Sequence, residues 1–216
     1  MLNNSSRLKF KISIILLLAF YVSGIIGILT NNKTIDFLSL TPLNLIVNAL
    51  LFFINHEKGT KKQWVVFIFV AFFGFFIEVV GVNTGLIFGN YSYQTTLGWK
   101  LFETPLIIGV NWMLLTGAAV FSVESKIKSK IGIALFSAFL LLALDILIEP
   151  VAMQYDFWTW DQNIVPLKNY VAWFGISFFL CYLLTYFKGE SKNNLAPYLL
   201  ILQFVFFGIF NLVIWK

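Results

Sequence analysis

Seven apolar runs follow one another along the chain, each of about 18–23 residues. They occupy 10–29, 35–54, 64–82, 101–123, 131–151, 169–187 and 196–215. A hydrocarbon layer of ~30 Å needs ~20 residues of helix at ~1.5 Å per residue. Each run therefore fits one crossing. With 59% hydrophobic residues and only 12% charged residues in 216, a soluble domain could not bury so much apolar surface. The expectation is one all-α membrane domain over 1–216, a bundle of about seven transmembrane helices. The first run is long, lacks a clear small-x-small cleavage site and is followed by further spans, so it reads as an uncleaved helix. The second is the weakest, with Asp36, Thr41-Pro42, Asn44 and Asn48 inside it.

The basic residues test that count. Arg7, Lys9 and Lys11 precede the first run. Lys58, Lys61 and Lys62, then Lys126, Lys128 and Lys130, then Lys188 and Lys192 fall in alternate loops on the same side. Only Lys33, Lys100, Lys168 and Lys216 fall on the other. The positive-inside rule then predicts a cytoplasmic N-terminus and a multi-pass protein of the cell membrane. It also supports the weak second span, without which Lys58, Lys61 and Lys62 would change sides. The net charge of +5 is too thinly spread for nucleic acid and carries no basic cluster interleaved with aromatics. The lone Cys181 excludes an intrachain disulfide, and His56 lies in a polar loop beside Glu57 and Lys58. No metal site is expected.

The acids show the opposite bias. Glu57, Glu124 and Glu190 share the lysine-rich side. Asp36, Glu78, Glu103, Asp145, Glu149, Asp156 and Asp161 fall at or near the other. Glu78 is roughly 6 Å, and Asp145 roughly 9 Å, from the outer end of its span. Glu149 follows Asp145 by one helical turn, which places both on one face. No lysine or arginine lies deep in a span to pair with them. An ionisable group at such a depth marks a candidate functional site; the plainer account is a structural hydrogen bond, or for Glu149 a place among the headgroups. Glu103, before Pro105, reads as an anion favoured by a helix start. Asp156 and Asp161 read as solvated loop charges. Asn48, Asn111 and Asn169 suit contacts between helices.

A faint repeat accompanies the acids. Tyr91 and Tyr93 follow Glu78 by the same intervals at which Trp158 and Trp160 follow Asp145. A proline (Pro105, Pro166) and an asparagine (Asn111, Asn169) come next in each case. Two helix pairs about an axis along the membrane normal would set these groups face to face. An aromatic belt at the interface accounts for the rings alone, but not for the acid within the span. Several carboxyl groups crowded in apolar surroundings should not all ionise. One kept neutral near pH 7 is a general acid. Tyr91, Tyr93, Trp99, Trp158 and Trp160 would surround it with π faces that attract cations. The combination suits protonation of an apolar alkene and capture of the carbocation by water.

Two segments carry a resemblance. GFFIEVVGVNTGLIFGNYSYQTTLG (74–98), and DILIEPVAMQYDFWTW with PLKNYVAWF (145–174), are similar to the membrane carotenoid-biosynthesis family that includes carotenoid hydratases. The shared pattern is E-x-x-G-V-x-T-G-x-x-F-G-x-Y-x-Y, then D-x-x-x-E-P and W-x-W. The resemblance covers 74–175 and implies addition of water to the terminal C1′–C2′ double bond of an acyclic carotenoid, with no cofactor. It implies Asp145, Glu149 and Glu78 as the acid and water-handling groups. The reading that follows makes Asp145 the proton donor, oriented by Glu149, with Glu78 holding water or steadying the cation. Tyr91, Tyr93, Trp99, Trp158, Trp160, Asn111 and Asn169 would line the substrate site. The rivals are a ψ-end cyclase using the same protonation, and a small proton-coupled transporter. A retinal protein would need a lysine in the last span, and 198–215 has none.

Overall fold

The structure, a computed structural model, describes residues 4–30 and 35–215. Lys33 and Lys216, two of the sparse outer lysines, lie outside the described residues. The described residues form seven α-helices: α1 Asn4–Leu29, α2 Thr41–Ile54, α3 Lys61–Thr84, α4 Ile107–Val123, α5 Lys130–Gln154, α6 Leu167–Phe187 and α7 Ala196–Ile214. Five of them, α1, α3, α5, α6 and α7, are long and apolar enough to cross a membrane. The protein is an all-α membrane bundle.

Two boundaries differ from the expected spans. The second begins at Thr41, not near 35. Asp36 Oδ1 accepts from the Leu38 and Ser39 amides and holds a turn there, and Pro42 then starts the helix. The fourth begins at Ile107, not 101. Residues 100–105 make a hairpin, β3 Lys100–Leu101 against β4 Thr104–Pro105. Its turn, Phe102-Glu103, has positive φ at both positions, the geometry of a tight two-residue loop. Glu103 is thus a turn residue, not the anion of a helix start.

The short α4 is the axis of the bundle. It packs against α2, α3, α5, α6 and α7, and an unbroken stretch from Leu114 to Phe121 is buried. Apolar on all sides, it is surrounded by protein and need not match the bilayer thickness itself. Close approach to α3 comes from Gly74 and Gly109. A Cβ on Gly74 would stand 2.5 Å from Trp112 Cβ, and one on Gly109 would stand 2.6 Å from the Ala71 carbonyl oxygen.

The lysine-rich loops gather at one end. Strand β1 His56–Glu57 pairs antiparallel with β6 Lys192–Asn193, and Lys188 forms an ion pair with Glu124. His56 Nε2 meets Gln63 Oε1 at 3.0 Å, and Gln63 donates to Ser191 Oγ at 2.7 Å. Burial holds the His56 imidazole below its ordinary value of 6.5, opposed in part by the Gln63 contact. Protonation therefore favours the unfolded chain; the contribution is complete above 6.5 and is lost as pH falls further. Thermal melts of the detergent-solubilised protein should show a midpoint that declines between about pH 7 and pH 5. The His56→Gln variant should flatten that part of the decline.

Candidate functional site

At the other end, α3 and α5 finish and α4 and α6 begin. Between each pair runs a short strand, β2 Tyr91–Tyr93 and β5 Trp158–Trp160. Both read aromatic-x-aromatic, the period of a strand, so their rings share one face. The strands pair antiparallel, Tyr91 with Trp160, Ser92 with Thr159, Tyr93 with Trp158. Backbone bonds from Asp161 N to Asn90 O and from Gln94 N to Phe157 O extend the ribbon at both ends. Ser92 and Thr159 face away and meet through their hydroxyls at 3.2 Å. The four rings face the bundle. Gly85, in the left-handed region at φ 64°, ends α3 and turns the chain toward this ribbon.

Each strand holds one carboxyl group of the helix that precedes it. Tyr91 Oη donates to Glu78 Oε2 at 2.5 Å, and Tyr93 Oη to the same oxygen at 2.8 Å. Trp112 Nε1, on α4, donates to Glu78 Oε1 at 3.1 Å. Trp158 Nε1 and Trp160 Nε1 donate to Glu149 Oε2 at 2.9 and 2.7 Å. Asn169 Nδ2, on α6, reaches Glu149 Oε1 at 3.3 Å. The two halves match: one carboxyl oxygen takes two donors from the ribbon, the other takes one from the next helix. Equal spacing along the chain aligns Glu78 with Asp145, whereas the hydrogen bonds align it with Glu149. Asp145 lies a turn deeper on α5 than Glu149, which takes both indole N–H groups.

Asp145 lies behind this arrangement. Asn169 Nδ2 donates to its Oδ2 at 3.0 Å, so one amide bridges Asp145 and Glu149. Asp145 Oδ1 is buried with no hydrogen-bond partner in the structure. All three carboxyl groups are buried, and neither ion pair among the described residues involves them. Three negative charges here would lie together in an apolar layer, so protons must be shared among them. Burial, and then the adjoining Glu78 carboxyl, push the phenols of Tyr91 and Tyr93 well above their ordinary value. Both remain O–H donors.

A cavity of about 90 Å³ opens below the ribbon. Glu78, Glu149, Tyr91, Tyr93, Trp158, Trp160, Asn111 and Asn169 border it. Of the site candidates drawn from the sequence, Asp145 and Trp99 do not. Trp99 is 87% exposed, before the β3–β4 hairpin. Among the wall residues that the sequence analysis does not single out are Trp112, Trp173 and Gln203. Trp112 and Trp173 stack with centroids 4.3 Å apart, joining α4 to α6. A tryptophan inside an apolar run was the available signal, because its buried N–H needs an acceptor. Outside, Lys168 Nζ donates to the Gly85 carbonyl at 3.0 Å, and Lys100 Nζ donates to the Tyr93 carbonyl. Lys168 and Lys100 thus secure backbone at the end of α3 and in the ribbon, and neither pairs with the buried acids.

Comparison with known proteins agrees with the resemblance. The model of the family described as carotenoid biosynthesis protein matches residues 40–215, from the start of α2 to the end of α7. The bisanhydrobacterioruberin hydratase of Haloarcula japonica is 23% identical over an alignment of 128 residues that covers 52% of this chain. The alignment covers 41% of that protein, so the chain spans less than half of its length. No solved structure matches the chain. The matched region contains both strands of the ribbon, both helix pairs and all three buried carboxyl groups, and by that match the chain belongs to the carotenoid biosynthesis protein family.

Proposed function

We propose that the protein is a carotenoid hydratase of the cell membrane, adding water to the terminal C1′–C2′ double bond of an acyclic carotenoid. The observation that carries the reading is the pair Glu78 and Glu149, facing one small aromatic cavity with only hydrogen-bond donors around them. A cavity of about 90 Å³ suits an end group and not a whole polyene. Glu149 meets the alkene. Its Oε1, with the single long contact to Asn169, has room for a proton, while Oε2 is occupied by two indoles.

The steps balance without oxidant or reductant. Glu149 gives its proton to C2′, and C1′ becomes a tertiary cation. The faces of Tyr91 and Trp160, with centroids 4.9 Å apart, and the carboxylate of Glu78 stabilise that charge. Asn111 and Gln203 provide polar wall on which a water molecule can rest. Its oxygen bonds to C1′, and its proton returns to Glu149. Asp145 acts through Asn169, fixing how protons divide between the two acids of α5.

Expression in a host that accumulates an acyclic carotenoid tests the assignment. The expected product carries the mass of one added water per reacted end and a tertiary alcohol. A cyclised product of unchanged mass would make the protein a ψ-end cyclase. Unchanged pigment, with the protein inserted in the membrane, would contradict both.

A further inference from the structure

A second cavity, of about 150 Å³, lies between α1, α2 and α7 and adjoins the first. Thr41, Leu45, Phe157, Gln203 and Phe207 border both, so the two are one interrupted space. Its walls are mostly apolar, Phe20, Ile28, Phe37 and Phe206 among them, with Tyr21, Asn44 and Gln203 as polar members. Leu40 and Leu43, at its α2 edge, are 40% and 50% exposed, on a flank that faces the lipid. The α1 wall precedes residues 40–215 matched by the family.

Neither cavity alone reaches the ~300–1,000 Å³ of an ordinary small-molecule site, nor do both together. An elongated apolar ligand whose end fills the inner cavity must continue somewhere. The outer cavity shares five wall residues with the inner one, is mostly apolar, and has the exposed Leu40 and Leu43 at its α2 edge.

We infer that the α1–α2–α7 cavity is a binding subsite for the polyene chain of the substrate, which enters from the lipid between α1 and α2 with its end group leading. This inference rests on the proposed carotenoid substrate but not on the hydration step. Gly24 is the position at which to test it. It lies on the wall of the outer cavity, and a Cβ there would meet only Phe206 Cε2, at 3.7 Å. Alanine fits; phenylalanine would fill the space. Leu43→Trp blocks the same cavity from α2, at a half-exposed site that tolerates bulk.

The experiment titrates an achiral acyclic polyene into the purified protein and follows circular dichroism in the visible band of the pigment. That band becomes dichroic only in a chiral site. Wild type and Gly24→Ala should give the signal with equal affinity. Gly24→Phe and Leu43→Trp should weaken binding at least about tenfold, with thermal midpoints near wild type. Should both blocked variants bind the polyene as wild type does, or should wild type give no signal, the subsite is refuted. If wild type binds and the blocked variants do not, the subsite stands even where no water is added. The hydratase reading alone then fails.

Discussion

Replacing Glu149 by glutamine is expected to lower turnover by about 10²- to 10⁴-fold, the usual contribution of a positioned general acid. The amide keeps the size of the side chain and can still accept from Trp158 and Trp160 through its oxygen. It cannot deliver a proton to carbon. The variant should therefore fold, bind substrate and fail in chemistry, so that kcat falls and KM changes little. Asp145→Asn should be milder, because Asp145 does not border the cavity and reaches it only through Asn169. Its mark should be a displaced pH–rate profile, since removing one of two acids that share an amide changes how the other titrates. The reading from sequence, with Asp145 as donor, requires the opposite order. Purified variants assayed across pH separate the two.

The second large effect concerns packing. Gly109→Val should destabilise the protein by about 3 kcal/mol, the upper range for overpacking a close contact. The first carbon of the new side chain would already lie 2.6 Å from the Ala71 carbonyl oxygen and 3.2 Å from Phe75 Cβ. The obstacle is backbone, so α3 and α4 must separate. Glu78 on α3 and Trp112 on α4 would separate with them, breaking a contact of the acid site. Thermal melts in detergent should show an early transition and activity should fall in parallel. Gly175→Ala and Gly208→Ala are the controls. Nothing lies within 4 Å of either added carbon, and alanine favours a helix interior by about 1 kcal/mol over glycine.

Much of this was legible from residues alone. The apolar runs gave the helices, because backbone in hydrocarbon has few ways to satisfy its hydrogen bonds. Glu78, Tyr91 and Tyr93 were read together and stand together, since strand alternation places both phenols on the face of the acid. The same spacing points to Asp145, whereas Trp158 and Trp160 hydrogen-bond Glu149. Counting residues gives a register along the chain, whereas the carboxyl reached by Trp158 and Trp160 depends on where α5 ends and how long an indole is. Hydropathy starts α2 and α4 too early for a related reason. Hydropathy does not distinguish a span from an apolar hairpin such as 100–105, where Phe102 and Glu103 turn the chain at positive φ. The aromatic face of Trp99 suggests a place around the acids, but its position before that hairpin leaves it exposed. Trp112, Trp173 and Gln203 come from three helices far apart in the chain, and only tertiary packing brings them to one wall.

The most direct test of the central claim supplies the purified protein with an acyclic carotenoid in water enriched in heavy oxygen and in deuterium. The account predicts a product with one heavy oxygen on C1′ and one deuterium on C2′ for each reacted end, formed by wild type and lost in Glu149→Gln. A product holding deuterium but no solvent oxygen, or one formed equally by Glu149→Gln, would contradict it.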